Sequence, residues 1–341
     1  MSKAHNTLFV TLQGAYVGHD HLNLEVRLEG ETKLKVPLHH LSGVVCFGRV
    51  SVSPPALEAC AKAGIGVALM TENGRFIGRF EGKVSGNVLL RRTQFRWADD
   101  DEKRLEIAKN FVLGKLANYR AVLSRAARDS DLPENAEALQ TAASSIQFGL
   151  SQLNQVSDYN VLLGAEGNAS ATYFGVFDRL IRTDGFVFEK RTRRPPKNAV
   201  NAMLSFGYAM LSNDCISACE GVGLDPSVGF LHVDRPGRYS LALDLMEEFR
   251  PVLVDRLVLA FVNRRQVQPS DFVEKDGGGI EMSDSARKAF ITAYQEKKRE
   301  ELKHPFTEEN TTFGLLPHIQ ARLLARVMRG DLEGYPPFTI R

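Results

Sequence analysis

The hydrophobic period of this chain changes once, and that change limits the fold more than any other feature. Up to Gly82 the apolar residues fall in short segments, TLFVTL, LNLEVRLEG, KLKVPLHHL and GVVCFG, several alternating apolar with polar. Gly and Asp punctuation (GHDH, EGETK) separates them as turns do. One helix is expected inside this region. Ser53 precedes Pro54 and Pro55, PALEACAKAG follows, and Gly64 closes it, with proline tolerated in the first turn. IGVALM and GRFIGRFEG return to strand character. Residues 1–82 therefore read as a small antiparallel β domain carrying one helix.

From Arg91 onward the spacing is helical. DEKRLEIAKNFVLGKLANYRAVLSRAARD places Leu105, Ile107, Phe111, Val112 and Leu116 at helical intervals with charge between them. ENAEALQTAASSIQFGLSQL, NAVNAMLSFGYAMLSNDCISACEGVG and SLALDLMEEFRPVLVDRLVLAFVNRRQ continue the pattern. Residues 83–101 read as a linker and residues 102–341 as a larger all-α domain. The fold class is α+β in two domains, with no repeat of fixed period.

Composition excludes several classes. With 43% hydrophobic and 25% charged residues, the chain is that of a soluble globular protein. A net charge of +2 leaves any affinity for nucleic acid to local patches. Four cysteines (Cys46, Cys60, Cys215, Cys219) are too few for a disulfide framework and fit a reduced, cytoplasmic setting. The N-terminus lacks the apolar core of a secretory signal, and no apolar stretch is long enough to span a membrane.

Four side chains carry candidate chemistry. Glu166 lies in the small-residue run GAEGNASA, His232 in GFLHVDRPGR, and Asp244 and Glu247 in SLALDLMEEFRP. Carboxylates with an imidazole suit Mg²⁺ or Mn²⁺. Asp244 and Glu247 are three apart on an expected helix that Ser240 caps, so they project from one face. A solvated polar arc of Asp244, Glu247, Glu248 and Asp255 explains the same spacing. Glu166 fits either a ligand or an exposed acid at a helix start. The run KRTRRPPK (Lys190, Arg191, Arg193, Arg194, Lys197) holds five cations within eight residues and no acid, and Pro195 and Pro196 keep it extended. It reads either as a phosphate-binding loop or as a solvated one. The nearby aromatics Phe186, Phe188, Phe206 and Tyr208 fit core packing better than base stacking.

Other motifs fail on context. Cys215 and Cys219 have no second ligand pair at zinc spacing. His19 and His21 lack a third partner. Gly277 to Gly279 has neither the preceding strand nor the GK[ST] ending of a P-loop. GxGxxG, HExxH and GxSxG are absent.

LLGAEGNASATYF, RRPPKNAVNAMLSFGYAML, GVGLDPSVGFLHVDRPGRYSLALDLMEEFRP and the later DGGG loop with its following helix occur in this order. With them the chain resembles the CRISPR-associated adaptation integrases, metal-dependent enzymes that insert new spacers into CRISPR arrays, over nearly its full length. The resemblance implies Glu166, His232 and Glu247 as ligands of Mg²⁺ or Mn²⁺ and Asp244 as an adjacent catalytic acid. Glu247 stands where other members have aspartate. It also implies a homodimer formed largely through the β domains, a small ferredoxin-like second adaptation protein as partner, and double-stranded DNA as substrate. Arg191, Arg193, Arg194 and Lys197 are then candidates for holding the DNA backbone, with Lys190, Arg238 and Arg250 beside them. Two other readings use the same residues: a stand-alone metal-dependent repair nuclease, and a non-catalytic DNA-binding scaffold.

Overall fold

A computed structural model describes residues 6–72, 74, 76–80, 82 and 88–340. The chain divides into two compact units, Met1–Gly86 and Asn87–Arg341.

In the first unit the strands are β1 (Asn6–Val10), β2 (Tyr16–Asp20), β3 (Asn23–Leu28), β4 (Glu31–Pro37), β5 (Leu41–Phe47), β6 (Ser51–Val52), β7 (Gly66–Met70) and β8 (Phe76–Phe80), with helix α1 at Pro54–Ala63. They form two four-stranded sheets, ordered β1-β5-β7-β8 and β4-β3-β2-β6. The expectation of an antiparallel domain is corrected here. β5 runs parallel to both β1 and β7, and β6 runs parallel to β2; antiparallel pairing is confined to β2-β3, β3-β4 and β7-β8. The parallel pairs need crossovers, and α1 supplies the one between β5 and β7. Its ends follow the sequence reading: Ser53 accepts the Ala56 N–H, and Gly64 closes the helix at φ 69°. Ala56 and Cys60 of α1 join Val17, Leu24, Val26, Val44 and Val67 in one buried cluster.

The second unit begins earlier than the sequence suggests. Of the expected 83–101 linker, residues 83–87 lie outside the described residues, and Val88–Asp99 folds as helix α2. Then come α3 (Asp101–Arg128), α4 (Pro133–Gln152), α5 (Tyr159–Gly175), α6 (Ala199–Val222), α7 (Ser240–Glu247), α8 (Arg256–Asn263), α9 (Asp284–Arg299) and α10 (Leu316–Met328). Two hairpins interrupt the helices, β9 (Phe272–Lys275) with β10 (Gly279–Met282) and β11 (Glu301–Lys303) with β12 (Asn310–Thr312). The unit is mostly helical rather than all-α. The DGGG segment forms the first hairpin's turn, with Gly277 at φ 89° and Gly278 at φ 69°.

Helix α3 is the spine, about 42 Å long at 1.5 Å per residue. Asp100 caps it by accepting the N–H groups of Glu102 and Lys103, and α4, α5 and α7 pack along it. Gly114 of α3 permits the approach of α7: a Cβ there would lie 3.0 Å from Cγ of Glu248 and from Cβ of Pro337. After α7 the backbone widens into a π turn over Arg250–Asp255 before α8. Pro251, which offers no N–H to a regular ladder, sits in that turn.

Candidate metal centre

Helix α5 presents Glu166 from its middle, so the helix-start alternative does not hold. Glu166 is half-buried, with Oε1 accepting from Ser170 Oγ at 2.9 Å. His232 stands on the loop between α6 and α7. Three side chains hold that loop: Gln94 of α2 donates to the carbonyls of Asp225 and Val228 at 2.7 and 2.8 Å, Arg104 of α3 to Phe230 at 3.1 Å, and Tyr159 of α5 to Leu231. Asp244 and Glu247 come from α7. The solvated-arc alternative fails as well, because Asp244, Glu247, Glu248 and Asp255 are all buried. Ser240 does not cap α7 but is its first residue, and its hydroxyl donates to the Val233 carbonyl at 3.3 Å.

Asp244 holds the imidazole in place. Its Oδ2 accepts the N–H groups of Phe230 and Leu231 at 2.6 and 2.9 Å, and its Oδ1 accepts the His232 N–H at 2.8 Å and lies 2.7 Å from His232 Nδ1. A carboxylate that accepts three backbone donors assigns the ring proton to Nδ1 and leaves the Nε2 lone pair facing the site. Gly229 makes this possible, since a Cβ there would lie 2.9 Å from Asp244 Oδ2 and 2.7 Å from Ser240 Cβ. Fully buried and committed to these bonds, Asp244 positions His232.

Glu166, His232 and Glu247 converge, and a residue the sequence reading passed over stands between them. The buried ammonium of Lys115, on α3, pairs with Glu166 and lies 2.7 Å from Glu247 Oε2. His232 Nε2 and Arg250 lie 3.8 and 3.3 Å from Glu247 Oε1. Burial pushes the Glu247 carboxyl up, but Arg250, then Lys115 and His232, outweigh it and hold its pKa at about 2. Burial opposes the charge on Lys115, yet Glu247, Tyr119 and Glu166 keep its pKa above the ordinary lysine value. Lys115 falls on the buried stripe Phe111–Lys115–Tyr119 of α3, so one charge at an apolar position of the period was its signal.

The donor set fits a hard divalent cation: two carboxylates and one imidazole nitrogen. Glu247 Oε2 is buried and receives no aligned hydrogen bond, despite its short approach to Lys115. As the side chains stand, no three His, Cys, Asp or Glu among the described residues form a ligating group. The cation at the meeting point is Lys115.

The DNA candidates separate into two sets. Arg191 turns inward: its guanidinium donates to Asn201 Oδ1 and Ser205 Oγ at 2.8 and 3.0 Å and lies over the Tyr208 ring, and burial lowers its pKa. Arg250 is a buried partner of Glu247 and also lies over Tyr208. Neither presents a free backbone contact. Lys190, Arg193 and Arg194 are exposed, exposed Lys197 donates to the Gly277 carbonyl at 3.3 Å, and half-buried Arg238 donates to Val233 O at 3.4 Å. Phe186, Phe188, Phe206 and Tyr208 are buried, as core packing requires. All four cysteines are free and buried.

A β-rich unit is followed by a mostly helical one in which Glu166 and Glu247 flank Lys115 and His232 lies 3.8 Å from Glu247, which defines the class by its two-unit fold and this polar cluster. Residues 8–296 match the family described as CRISPR associated protein Cas1. The chain is 51% identical to the CRISPR-associated endonuclease Cas1 2 of Rhodospirillum rubrum, covering 99% of each chain. It is 48% identical to the CRISPR-associated endonuclease Cas1 1 of Moorella thermoacetica, covering 98% of each. Among solved structures, a Cas1 protein from Thermotoga maritima superposes with a TM-score of 0.82 at 26% identity, over 98% of this chain and 100% of that one. The chain belongs to the Cas1 family. No helix among the described residues is long and apolar enough to cross a membrane.

Proposed function

We propose that this chain is a metal-dependent DNA endonuclease and integrase of CRISPR adaptation, joining a DNA 3′-hydroxyl to a target phosphodiester. The convergence of Glu166, His232 and Glu247, with His232 oriented by a fully buried Asp244, carries this reading. The Cas1 relatives named as endonucleases support phosphodiester chemistry.

Glu166, His232 Nε2 and Glu247 would hold Mg²⁺ or Mn²⁺, which when bound polarises the phosphodiester and acidifies the attacking hydroxyl. Glu247, ionised through the neutral range, is ready as a ligand without waiting on a proton. Asp244 keeps the Nδ1 proton on His232 and so keeps the Nε2 lone pair available. Arg250 and Lys115 keep Glu247 ionised beside the site. In joining, the 3′-oxygen forms a new P–O bond as the target's P–O3′ bond breaks. The attacking hydroxyl loses its proton and the departing 3′-oxygen gains one, so bond types balance and no nucleotide cofactor is needed. With water as nucleophile, the same exchange is cleavage.

The exposed cations Lys190, Arg193, Arg194 and Lys197, with Arg238, are the proposed backbone contacts of the DNA; they position the duplex and read no bases. A homodimer through the β units and a small ferredoxin-like second protein belong to the same proposal. The test supplies a labelled DNA with a free 3′-hydroxyl and a supercoiled acceptor, with Mn²⁺. Strand-joined products that vanish in Glu166→Gln support the integrase. Cleavage without joining favours the repair nuclease, and products that persist in Glu166→Gln remove the proposed centre.

A further inference from the structure

We infer a second DNA-binding site on this chain, a cationic cleft along the C-terminal half of α3, away from the metal centre, that holds a single strand by its phosphodiester backbone; the choice of ligand rests on the function proposed above. The cleft is a cavity of about 1320 Å³ within the helical unit. Eight of its lining residues are Arg or Lys and two are acidic, Asp129 and Glu308. The cations come from separate elements: Arg120, Arg125 and Arg128 from α3, Arg182 from the loop after α5, Arg256 from α8 and Arg264 just beyond it.

These charges are only partly neutralised from within. Arg125 with Asp129 and Lys303 with Glu308 pair only at 3.7 Å each, and no ion pair reaches Arg128, Arg256 or Arg264 among the described residues. Burial, then the charge of Arg125, lowers the pKa of Arg256 against the pull of Glu300, so the fold holds like charges close together. Seven of the eight cations are exposed, so the cleft presents a concentrated positive field to an incoming polyanion.

Size and chemistry choose the anion. The volume exceeds the 300–1,000 Å³ typical of small-ligand pockets, so a lone phosphate leaves it mostly empty. Taken as a sphere it is roughly 14 Å across, narrower than a duplex whose major and minor grooves together are about 16 Å deep. Seven of the eight cations are arginines, whose forked donors match phosphate oxygens. Ser124, Ser144 and Gln140 add neutral donors of the kind that bind phosphate and sugar. The two phenylalanines of the lining, Phe313 and Phe338, are buried, which leaves no stacking platform for bases. The strand is therefore held without regard to sequence.

The position is distinct from the reacting centre. Ser124 at the cleft lies about 13.5 Å along α3 from Lys115, nine residues at 1.5 Å each. An enzyme that joins two DNA molecules must grip DNA away from the reacting phosphodiester, and this cleft provides that grip on the same rigid helix.

The test uses the full chain with Arg120→Ala, Arg128→Ala and Arg264→Ala combined, all at exposed positions. Anisotropy of a fluorescein-labelled 12-nucleotide single strand is followed over a salt series, with polyglutamate as competitor, and Mn²⁺ binding is measured by calorimetry. The inference expects affinity to fall at least about tenfold, and the slope of log K against log salt to shrink by about 2, near 0.7 per lost phosphate contact. Mn²⁺ binding stays at the wild-type value. Unchanged affinity and slope overturn it, as does polyglutamate displacing the strand as well as unlabelled DNA does. If the triple variant does not fold, photocross-linking of 5-iodouracil DNA to the wild type decides: adducts within residues 120–130 and 256–264 support the cleft, and their absence there overturns it. Glu166→Gln separates the two claims. Lost strand binding in the triple variant, with no metal-dependent products even from wild type, leaves the cleft standing and removes the proposed function; the converse pattern does the opposite.

Discussion

Oδ1 of Asp244 lies 2.7 Å from Nδ1 of His232, while the same carboxylate accepts the backbone N–H groups of residues 230, 231 and 232. One buried acid thus fixes both the path of the loop and the tautomer of the ring it carries. Asp244→Asn keeps the shape but replaces a charged acceptor, and its amide group disturbs the ring's proton placement. Mn²⁺ affinity should fall about 10–100-fold, as for other partners of ligating histidines. Isothermal titration of the folded variant checks this. Wild-type affinity would mean that Asp244 serves the loop alone.

Lys115 gives a prediction of opposite sign for stability and for metal. Its ammonium is the counter-charge for Glu166 and Glu247, all three drawn from different helices. Lys115→Met leaves two carboxylates at one point with less compensation, and breaking a buried pair costs about 3–5 kcal/mol. The metal-free variant should melt well below wild type. A divalent cation then replaces the lost charge, so Mn²⁺ should raise the variant's melting temperature by more than it raises the wild type's. Equal Mn²⁺-induced shifts in the two proteins would show that Lys115 and the ion do not share the site.

Asp255 ties stability to pH. It is fully buried, accepts from Tyr208 at 2.5 Å, and faces Tyr173, Arg250 and Arg191. Burial raises its pKa from 3.8 to about 6 against the pull of those partners. The folded state therefore holds its proton more tightly than the unfolded state does. This term costs nothing below about pH 4, grows as pH rises, and is complete above about pH 6. The gap corresponds to about 3 kcal/mol at 1.36 kcal/mol per pH unit. Asp255→Asn should flatten this part of the pH–melting curve by roughly 6–10 °C. Curves of wild type and variant that stay parallel from pH 4 to pH 6.5 would exclude Asp255 as the source.

The two-part organisation and the order of elements were legible because hydrophobic period is a local property. The change from strand to helix spacing, the caps at Ser53 and Gly64, and the four chemical side chains all lie within short windows. Strand direction was not legible: whether β5 runs parallel to β1 depends on pairings made across residues 11–40. The same holds for the polar face of α7. A helical wheel cannot distinguish a solvent-facing arc from one turned toward α3, α5 and the His232 loop, so Asp244, Glu247, Glu248 and Asp255 fitted both. Lys115 was within reach, as the charge interrupting the Phe111–Tyr119 stripe. Its partners lie 51 and 132 positions further along the chain, and only the fold brings them together.

Glu248, the neighbour of Glu247, points the other way and clasps the C-terminal segment. Its oxygens accept from Tyr335 Oη, from Gln320 Nε2 at 2.9 Å and from the Phe338 N–H at 2.6 Å, and Asn118 receives the Ile340 N–H at 2.8 Å. Glu248→Ala takes the acceptor from Tyr335 Oη and from the Phe338 N–H, while Gln320 Nε2 keeps Tyr335 Oη and the Pro336 carbonyl, and each buried group left unsatisfied costs about 1–3 kcal/mol. The segment adds little helix or sheet of its own to resist this, so the loss should appear as local opening before global unfolding. Hydrogen exchange at residues 335–340 should accelerate at least about tenfold in the variant, while α5, which makes no bond to Glu248, keeps its protection. Uniform acceleration across the helical unit would instead make Glu248 a support of α7 and the metal centre rather than a clasp on the tail.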